Sequence, residues 1–527
     1  MPVAYTSAGS VVNVAYGWVF GLRMLWVRVM PPSMTRRHFL RTTGLLAASA
    51  FSPRLAWASD PFVKLDATAQ AELVRTGQVT PIELVDAAIK RIEALNPKLN
   101  AFVTTCFDRA REQAKGKLPD GPFRGVPYAI KDLSNLEGTR CTMGSRLFEH
   151  NISKGNDGIV ESALEAGLVP LGKTNTPEFG LLATTESLLL GPAHNPWNLA
   201  HSTGGSSGGA AAAVASGMLP FAQASDGGGS IRNPASCCGV FGLKPSRGRM
   251  YETRQGPPGD IAVNFAVSRT VRDSARLFAA SEHTGPYASL LPVGEVLSPS
   301  PRRLKIAFTT SSAMGDRPHP DVEAATEKTA KLCEDLGHTI IPADHPVDAD
   351  EFLDNFLTLW AAGPSQLESY AWIIGLRQFR LVSADDVLEP WTTGLADWLR
   401  KKDDGAVARA VQYCRQVTMD YAAFFEKYDV QLIPVLKDPP IKLGEQGPDV
   451  PFDTLLERVV AYSSFTPPYN AAGAPAMSVP LFTSSDGLPI GSQFGARVGD
   501  ERTLFELAYE LEQAQPWENR WPPHAAV

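Results

Sequence analysis

The chain has 527 residues, of which 44% are hydrophobic and 20% charged. At roughly 100–200 residues per domain, that length allows two to four domains or one large α/β unit, and the composition excludes wholesale disorder. A formal net charge of −7, from 49 Lys and Arg against 56 Asp and Glu, lacks the basic excess of a nucleic-acid binder, so no nucleic-acid partner is expected.

The charge is uneven along the chain. Residues 1–58 hold six arginines (Arg23, Arg28, Arg36, Arg37, Arg41 and Arg54) and no acidic residue. Without those six positive charges the balance of −7 becomes −13 for the rest. Thr35-Arg36-Arg37-His38-Phe39-Leu40-Arg41 precedes a weakly apolar run, Gly44–Phe51, and a small-x-small site, Ala56-Trp57-Ala58. These are the parts of a bacterial twin-arginine signal. The expectation is export by the twin-arginine translocase, a mature N-terminus near Ser59 and a periplasmic location, with a cytoplasmic one as the alternative. A basic amphipathic helix on the surface is the competing reading of this segment. Met34 sits where such signals begin, so residues 1–33 read as an over-extended gene start. A membrane anchor over Val11–Val27 is the rival, but Arg23 leaves no apolar run of 18 residues there.

From Ser59 onward the pattern alternates strands and helices. Thr80-Pro81-Ile82-Glu83 opens a helix with an N-cap, a proline at the first position and a capping box. Its apolar positions Ile82, Val85, Ile89, Ile92 and Leu95 follow a helical period, and Asn96-Pro97 is expected to stop it. Strands are expected at Val126–Ile130, Leu168–Leu171, Leu219–Ala222, Leu304–Phe308, His338–Ile341 and Asp429–Pro434. Helices are expected at Asp157–Ala166, Gly208–Ser216 and Val322–Leu336. The stretch Glu351–Tyr428 reads as a helical insertion carrying Trp360, Trp372, Trp391 and Trp398. Without internal repeats or a long linker, the pattern indicates one α/β domain over residues 59–527 with a parallel or mixed sheet.

Six cysteines occur without a C-x-x-C pair or a His-rich cluster, so neither a metal nor a cofactor is expected. A chain exported already folded would keep them as buried thiols.

Three segments carry chemistry. Gly125-Val126-Pro127-Tyr128-Ala129-Ile130-Lys131-Asp132 ends an apolar strand on a lysine. Buried, Lys131 would be neutral and able to act as a general base; facing solvent, it would be an ordinary strand end. Ser202-Thr203-Gly204-Gly205-Ser206-Ser207-Gly208-Gly209 leads into an Ala-rich helix. It reads as a flexible turn, as a phosphate-cradling loop, or as the G-x-S-x-G elbow of an α/β-hydrolase, which needs an acid and a histidine downstream. Ala224-Ser225-Asp226-Gly227-Gly228-Gly229-Ser230-Ile231-Arg232-Asn233-Pro234-Ala235 presents successive backbone N–H groups before a serine. That turn suits an oxyanion hole or, more plainly, a surface glycine turn.

Taken together, Lys131 with the stretch from Gly204-Gly205-Ser206-Ser207 through Asp226–Arg232 to Cys238-Gly239-Val240-Phe241-Gly242-Leu243-Lys244-Pro245 resembles the amidase signature family. Similarity also covers Leu171–Asn175, Asn195–Asn198, Pro468–Ala476 and Leu488–Gln493. The resemblance implies an α/β domain with a mixed, twisted sheet of about eleven strands wrapped by helices. It implies Lys131 as base, Ser206 as the bridging serine after a cis peptide, and Ser230 as nucleophile. The oxyanion donors would be the N–H groups of Gly227, Gly228, Gly229 and Ser230. Asp226, Arg232 and Ser207 would support the loop. The family's bulky residue after the aspartate is Gly227 here.

The implied activity is hydrolysis of a carboxylic amide through a serine acyl-enzyme, releasing a carboxylate and ammonia or an amine. The sequence is similar to the branch of 6-aminohexanoate cyclic-dimer hydrolases in Asp66–Arg75 and Lys173–Pro177, which are scaffold positions. Together with Phe465-Thr466-Pro467-Pro468-Tyr469, the Trp-rich insertion suggests an apolar pocket for a small neutral aliphatic, aryl or aminohexanoate-type amide. Ester or carbamate hydrolysis at the same site, and the amidase subunit of a tRNA-dependent amidotransferase, are the alternatives. A catalytically dead scaffold is disfavoured because Lys131, Ser206 and Ser230 are all present. Both a monomer and a homodimer are compatible with the sequence.

Overall fold

The computed structural model describes residues 60–251, 260–286, 288–377 and 383–527, with no side-chain description at 369 and 372–377. The signal and anchor readings of residues 1–58 therefore lie outside the described residues. Eleven strands build the core: β1 Phe102–Thr105, β2 Pro127–Lys131, β3 Val169–Thr174, β4 Phe221–Asp226, β5 Phe241–Lys244, β6 Val263–Ser268, β7 Lys305–Phe308, β8 Thr339–Pro342, β9 Val430–Pro434, β10 Ala476–Thr483 and β11 Pro489–Gly495. They form a three-stranded sheet in the order β1-β3-β2 and an eight-stranded sheet in the order β8-β7-β9-β11-β10-β5-β6-β4. Pairing is mixed. β2 runs parallel to β3, and β7 parallel to β8 and β9, while β4, β5, β6, β10 and β11 pair antiparallel. Between the sheets, β2 lies beside β4 without a backbone ladder. The Gln223 side chain bridges the gap, accepting the Lys131 N–H through Oε1 at 2.8 Å.

Local chemistry accounts for most boundaries. The helix Pro81–Leu99 starts with the expected capping box, Thr80 N donating to Glu83 Oε2 at 2.9 Å. It does not stop at Asn96-Pro97. Pro97 lies inside the helix, in its last turn, and the helix ends on Asn100 in the left-handed region (φ 47°). Strands end later than their apolar runs suggested: β3 reaches Thr174 and β4 occupies 221–226 rather than 219–222. Polar residues finish both strands: Lys173 and Thr174 on β3, Ser225 and Asp226 on β4.

The helix Gly208–Ala215 is buried on every side, which explains its uniform apolar sequence. A Cβ at Gly209 would lie 2.3 Å from the Asn175 backbone nitrogen, so the helix reaches the sheet only with glycine there. The region expected as an insertion is helical, with Ala349–Arg377, Ala384–Val387, Pro390–Arg400 and Ala406–Phe424 following β8 and preceding β9. All six cysteines are free thiols, five buried and Cys106 half-buried. Among the described residues no helix is long and apolar enough to cross a membrane.

Candidate active site

β2 ends on Lys131, whose side chain is fully buried and not solvent-facing. Its Nζ donates to Ser206 Oγ at 2.6 Å and to Ser225 Oγ at 3.0 Å. Burial lowers its pKa from 10.5 to about 7, against the opposing pull of the Asp226 carboxylate. A second buried lysine braces the strand end. Lys173 on β3 donates to the Ser134 carbonyl at 2.6 Å and lies 3.3 Å from Asp132, next to Lys131.

Ser206 follows a cis Gly205–Ser206 peptide and is 1% exposed. The turn Glu178–Gly180 packs against it. A Cβ on Gly180 would lie 2.9 Å from Ser206 Oγ, so this approach requires glycine. Ser207 points away from the lysine. Its hydroxyl donates to the Ser225 carbonyl (3.2 Å) and accepts the Ser225 N–H (3.3 Å), while its own N–H donates to the Ser230 carbonyl (3.3 Å). Ser206, Ser225, Gly227 and Ser230 line one chamber of about 1900 Å3. Ser206 and Ser230 thus meet at one cavity from two separate segments, with Lys131, from a third, hydrogen-bonded to Ser206.

Between β4 and the helix Arg232–Cys238, the glycine turn is wound around the Asp226 carboxylate. Oδ1 accepts the Gly229 N–H at 2.7 Å and Oδ2 the Ile231 N–H at 3.1 Å. Arg232 closes a bidentate pair, Nε to Oδ2 at 3.0 Å and Nη2 to Oδ1 at 2.9 Å. Its remaining donors reach the Thr466 carbonyl, Gln493 Oε1 and Asn470 Oδ1. Burial alone would raise the Asp226 pKa, but the Arg232 charge and hydrogen bonds, with Lys244 and Asn470, hold it well below the usual carboxylate range. Gly229 has φ +134°, and a Cβ there would come within 2.2 Å of Thr466 Oγ1.

Of the four expected oxyanion donors, Gly229 is thus already engaged inside the loop. The N–H groups of Gly227, Gly228 and Ser230 make no hydrogen bond among the described residues. The space left by the missing side chain at 227 is covered by the insertion. Trp360 lies 3.5 Å from a Cβ placed at Gly227 and 3.1 Å from one at Gly228.

Gln223 was not singled out beforehand, and Ser225, Thr466, Asn470 and Gln493 fell inside quoted segments without being given the contacts they make here. Asn470 and Gln493 lie within stretches that resembled the family, but only the tertiary contact with Arg232 reveals their part. Trp360 and Trp391 line cavities beside Ser230, and Trp398 packs behind them. The Trp372 side chain lies outside the described residues. Phe465 and Tyr469 were expected in the pocket wall but are fully buried in the core behind it, and Pro467 supplies the wall from that stretch. The Tyr469 hydroxyl donates to Gln431 instead.

The family model described as Amidase matches residues 83–505. The chain belongs to the amidase signature family. The enzyme is 39% identical to the AmiC protein of Mycobacterium tuberculosis over 476 residues, covering 89% of this chain and 99% of that one. It is 36% identical to a 6-aminohexanoate-cyclic-dimer hydrolase of Pseudomonas sp. over 488 residues, covering 87% and 96%. Among solved structures, 6-aminohexanoate cyclic dimer hydrolase complexed with substrate superposes with a TM-score of 0.81 at 32% identity, covering 88% of this chain and 99% of that one. The enzyme is therefore a hydrolase of the amide-cleaving kind, with that family's single-domain fold.

Proposed function

We propose that this amidase cleaves neutral carboxylic amides through an acyl-enzyme on Ser230, driven by a Ser230–Ser206–Lys131 proton relay. The observation that carries this reading is the 2.6 Å contact between a fully buried Lys131 and Ser206, in the chamber Ser230 also lines. With a pKa of about 7, Lys131 is substantially neutral at neutral pH and can take the Ser206 proton as Ser206 takes that of Ser230. Ser230 Oγ then bonds to the amide carbon. The oxyanion is met by the N–H groups of Gly227, Gly228 and Ser230, each donor of this kind lowering the barrier by roughly 2.7–4 kcal/mol. As the C–N bond breaks, Ser206 gives its proton to the leaving nitrogen and recovers one from Lys131. Water repeats the cycle on the acyl-enzyme and releases the carboxylate.

Asp226 and Arg232 hold the turn without touching the substrate, and Ser207 fixes the Ser230 backbone. The apolar walls beside Ser230 support small aliphatic, aryl or aminohexanoate-type amides, in keeping with the cyclic-dimer hydrolase among its relatives. Ser230→Ala should abolish amide turnover and covalent labelling by a fluorophosphonate. Labelling at Ser206 in the wild type would instead move the nucleophile to the G-x-S-x-G segment.

We also propose export to the periplasm through the twin-arginine translocase, on the strength of Arg36-Arg37, the weak apolar run and Ala56-Trp57-Ala58. Arg36→Lys combined with Arg37→Lys should trap active precursor in the cytoplasm. N-terminal sequencing of enzyme from its native cell should begin near Ser59. An intact Met1 or Met34 on active cytoplasmic enzyme overturns the proposal.

A further inference from the structure

Ser230 stands where two chambers meet. The larger, about 1900 Å3, is lined by Ser206 and Ser225 as well as Ser230, and by the polar Asp260 and Gln366. The smaller, about 640 Å3, touches Ser230 and Gly228 but not Lys131, Ser206 or Ser225. Its walls are overwhelmingly apolar, including Met314, Phe352, Phe356, Trp391 and Val460. Trp360 borders both chambers. Phe352, Phe356 and Trp360 recur every fourth residue on the helix Ala349–Arg377, and their rings stack in sequence with centroids 5.7 Å apart at each step. The end of that aromatic ladder rests on the Gly227-Gly228 turn. A Cβ at Gly228 would meet Trp360 at 3.1 Å and Phe356 at 3.3 Å.

We infer that the smaller chamber holds the acyl part of the substrate and the larger one the amine, with Trp360 as the partition that sets specificity. The inference rests on the proposed role of Ser206 as proton carrier. The leaving nitrogen must receive its proton from the Ser206 hydroxyl, which faces only the larger chamber. The water that later frees the acyl group is activated by the same hydroxyl and enters from the same side. The acyl group must therefore stay out of that space while bonded to Ser230, and the remaining room beside Ser230 is the apolar chamber. Among the described residues its walls offer no charged partner, so it fits an unbranched aliphatic or aryl acyl group, whose burial is favourable in proportion to its area. The open side accepts amines of varied size and polarity.

The test measures kcat/KM for two series: p-nitroanilides from acetyl to octanoyl, and acetamides with N-alkyl groups of rising length. In the wild-type enzyme, lengthening the acyl chain should raise kcat/KM far more than lengthening the amine. Val460→Trp and Met314→Trp fill the smaller chamber from two different segments. Each should lower the octanoyl-to-acetyl ratio by about tenfold or more, in line with the cost of misfitting a hydrophobic pocket, with no matching change in the amine series. Reading a ratio within each variant cancels any general loss of activity. A ratio unchanged in both variants, or a change confined to the amine series, overturns the assignment. Fluorophosphonate labelling of Ser230 in each variant reports the relay separately. Labelled variants with the wrong chain-length response refute the chamber assignment alone, whereas absence of labelling at Ser230 in the wild type refutes the relay.

Discussion

Replacing Lys131 with Met should make the enzyme more stable at neutral pH while removing its activity. The folded pKa of Lys131 lies at about 7, against 10.5 for a free lysine. Because the folded value is lowered, the unfolded chain binds more protons between those two pH values. The burial penalty is therefore full below about pH 7, shrinks as pH rises and is gone above 10.5. At 1.36 kcal/mol per unit, the penalty is about 4 kcal/mol at pH 7 and under about 1 kcal/mol at pH 10. Met has a similar length and no charge, but it gives up the hydrogen bonds to Ser206 and Ser225, worth about 1 kcal/mol each. The variant should then gain about 2 kcal/mol at pH 7 and lose about 1 kcal/mol at pH 10, crossing the wild type near pH 9. Its kcat should fall by about 10²–10⁴. Urea unfolding followed by tryptophan fluorescence between pH 6 and 10 measures the difference. A variant less stable than wild type by the same margin at every pH would show that the amine stays charged in the fold, and the relay would lose its base.

Other consequences follow from the same contacts. Arg232→Met leaves the Asp226 carboxylate buried without its counter-charge and should destabilise by about 3–5 kcal/mol, seen as a lower unfolding midpoint together with lost turnover. Gly229→Ala combines a left-handed backbone with a Cβ 2.2 Å from Thr466 Oγ1, and should impair turnover and stability even though the residue bears no reacting atom. Ser225→Ala removes an acceptor from the protonated lysine, so the rising limb of the pH–rate profile should move to lower pH. A limb that stays in place would detach Ser225 from Lys131. Thr80→Ala, which removes the capping-box hydroxyl at a distance from the site, should cost about 0.5–2 kcal/mol with kcat unchanged, read by unfolding and steady-state kinetics.

The sequence alone determined most local elements and singled out the candidate reacting groups. Capping residues, alternating apolar runs and glycine punctuation act over a few residues, so Thr80–Glu83 opens its helix and the strands at 305–308 and 430–434 fall within a residue of where they were expected. The family resemblance, carried by the Ser206 and Ser230 loops, implied a Lys131–Ser206–Ser230 relay before any distance was known. Only the tertiary structure decided whether Lys131 is a buried amine beside Ser206 or a solvated strand end. The difference is burial: no local pattern shows that β2 is covered by β3 and β4, and that desolvation lowers the amine's pKa. Likewise, Asn470 and Gln493 meet Arg232 from more than 200 residues away, and Trp360 occupies the space that Gly227 leaves open. The division of the space beside Ser230 into two chambers arises from a helix packed across a turn distant in sequence. It depends on where side chains end in space, a property set by packing and invisible to the spacing of residues along the chain.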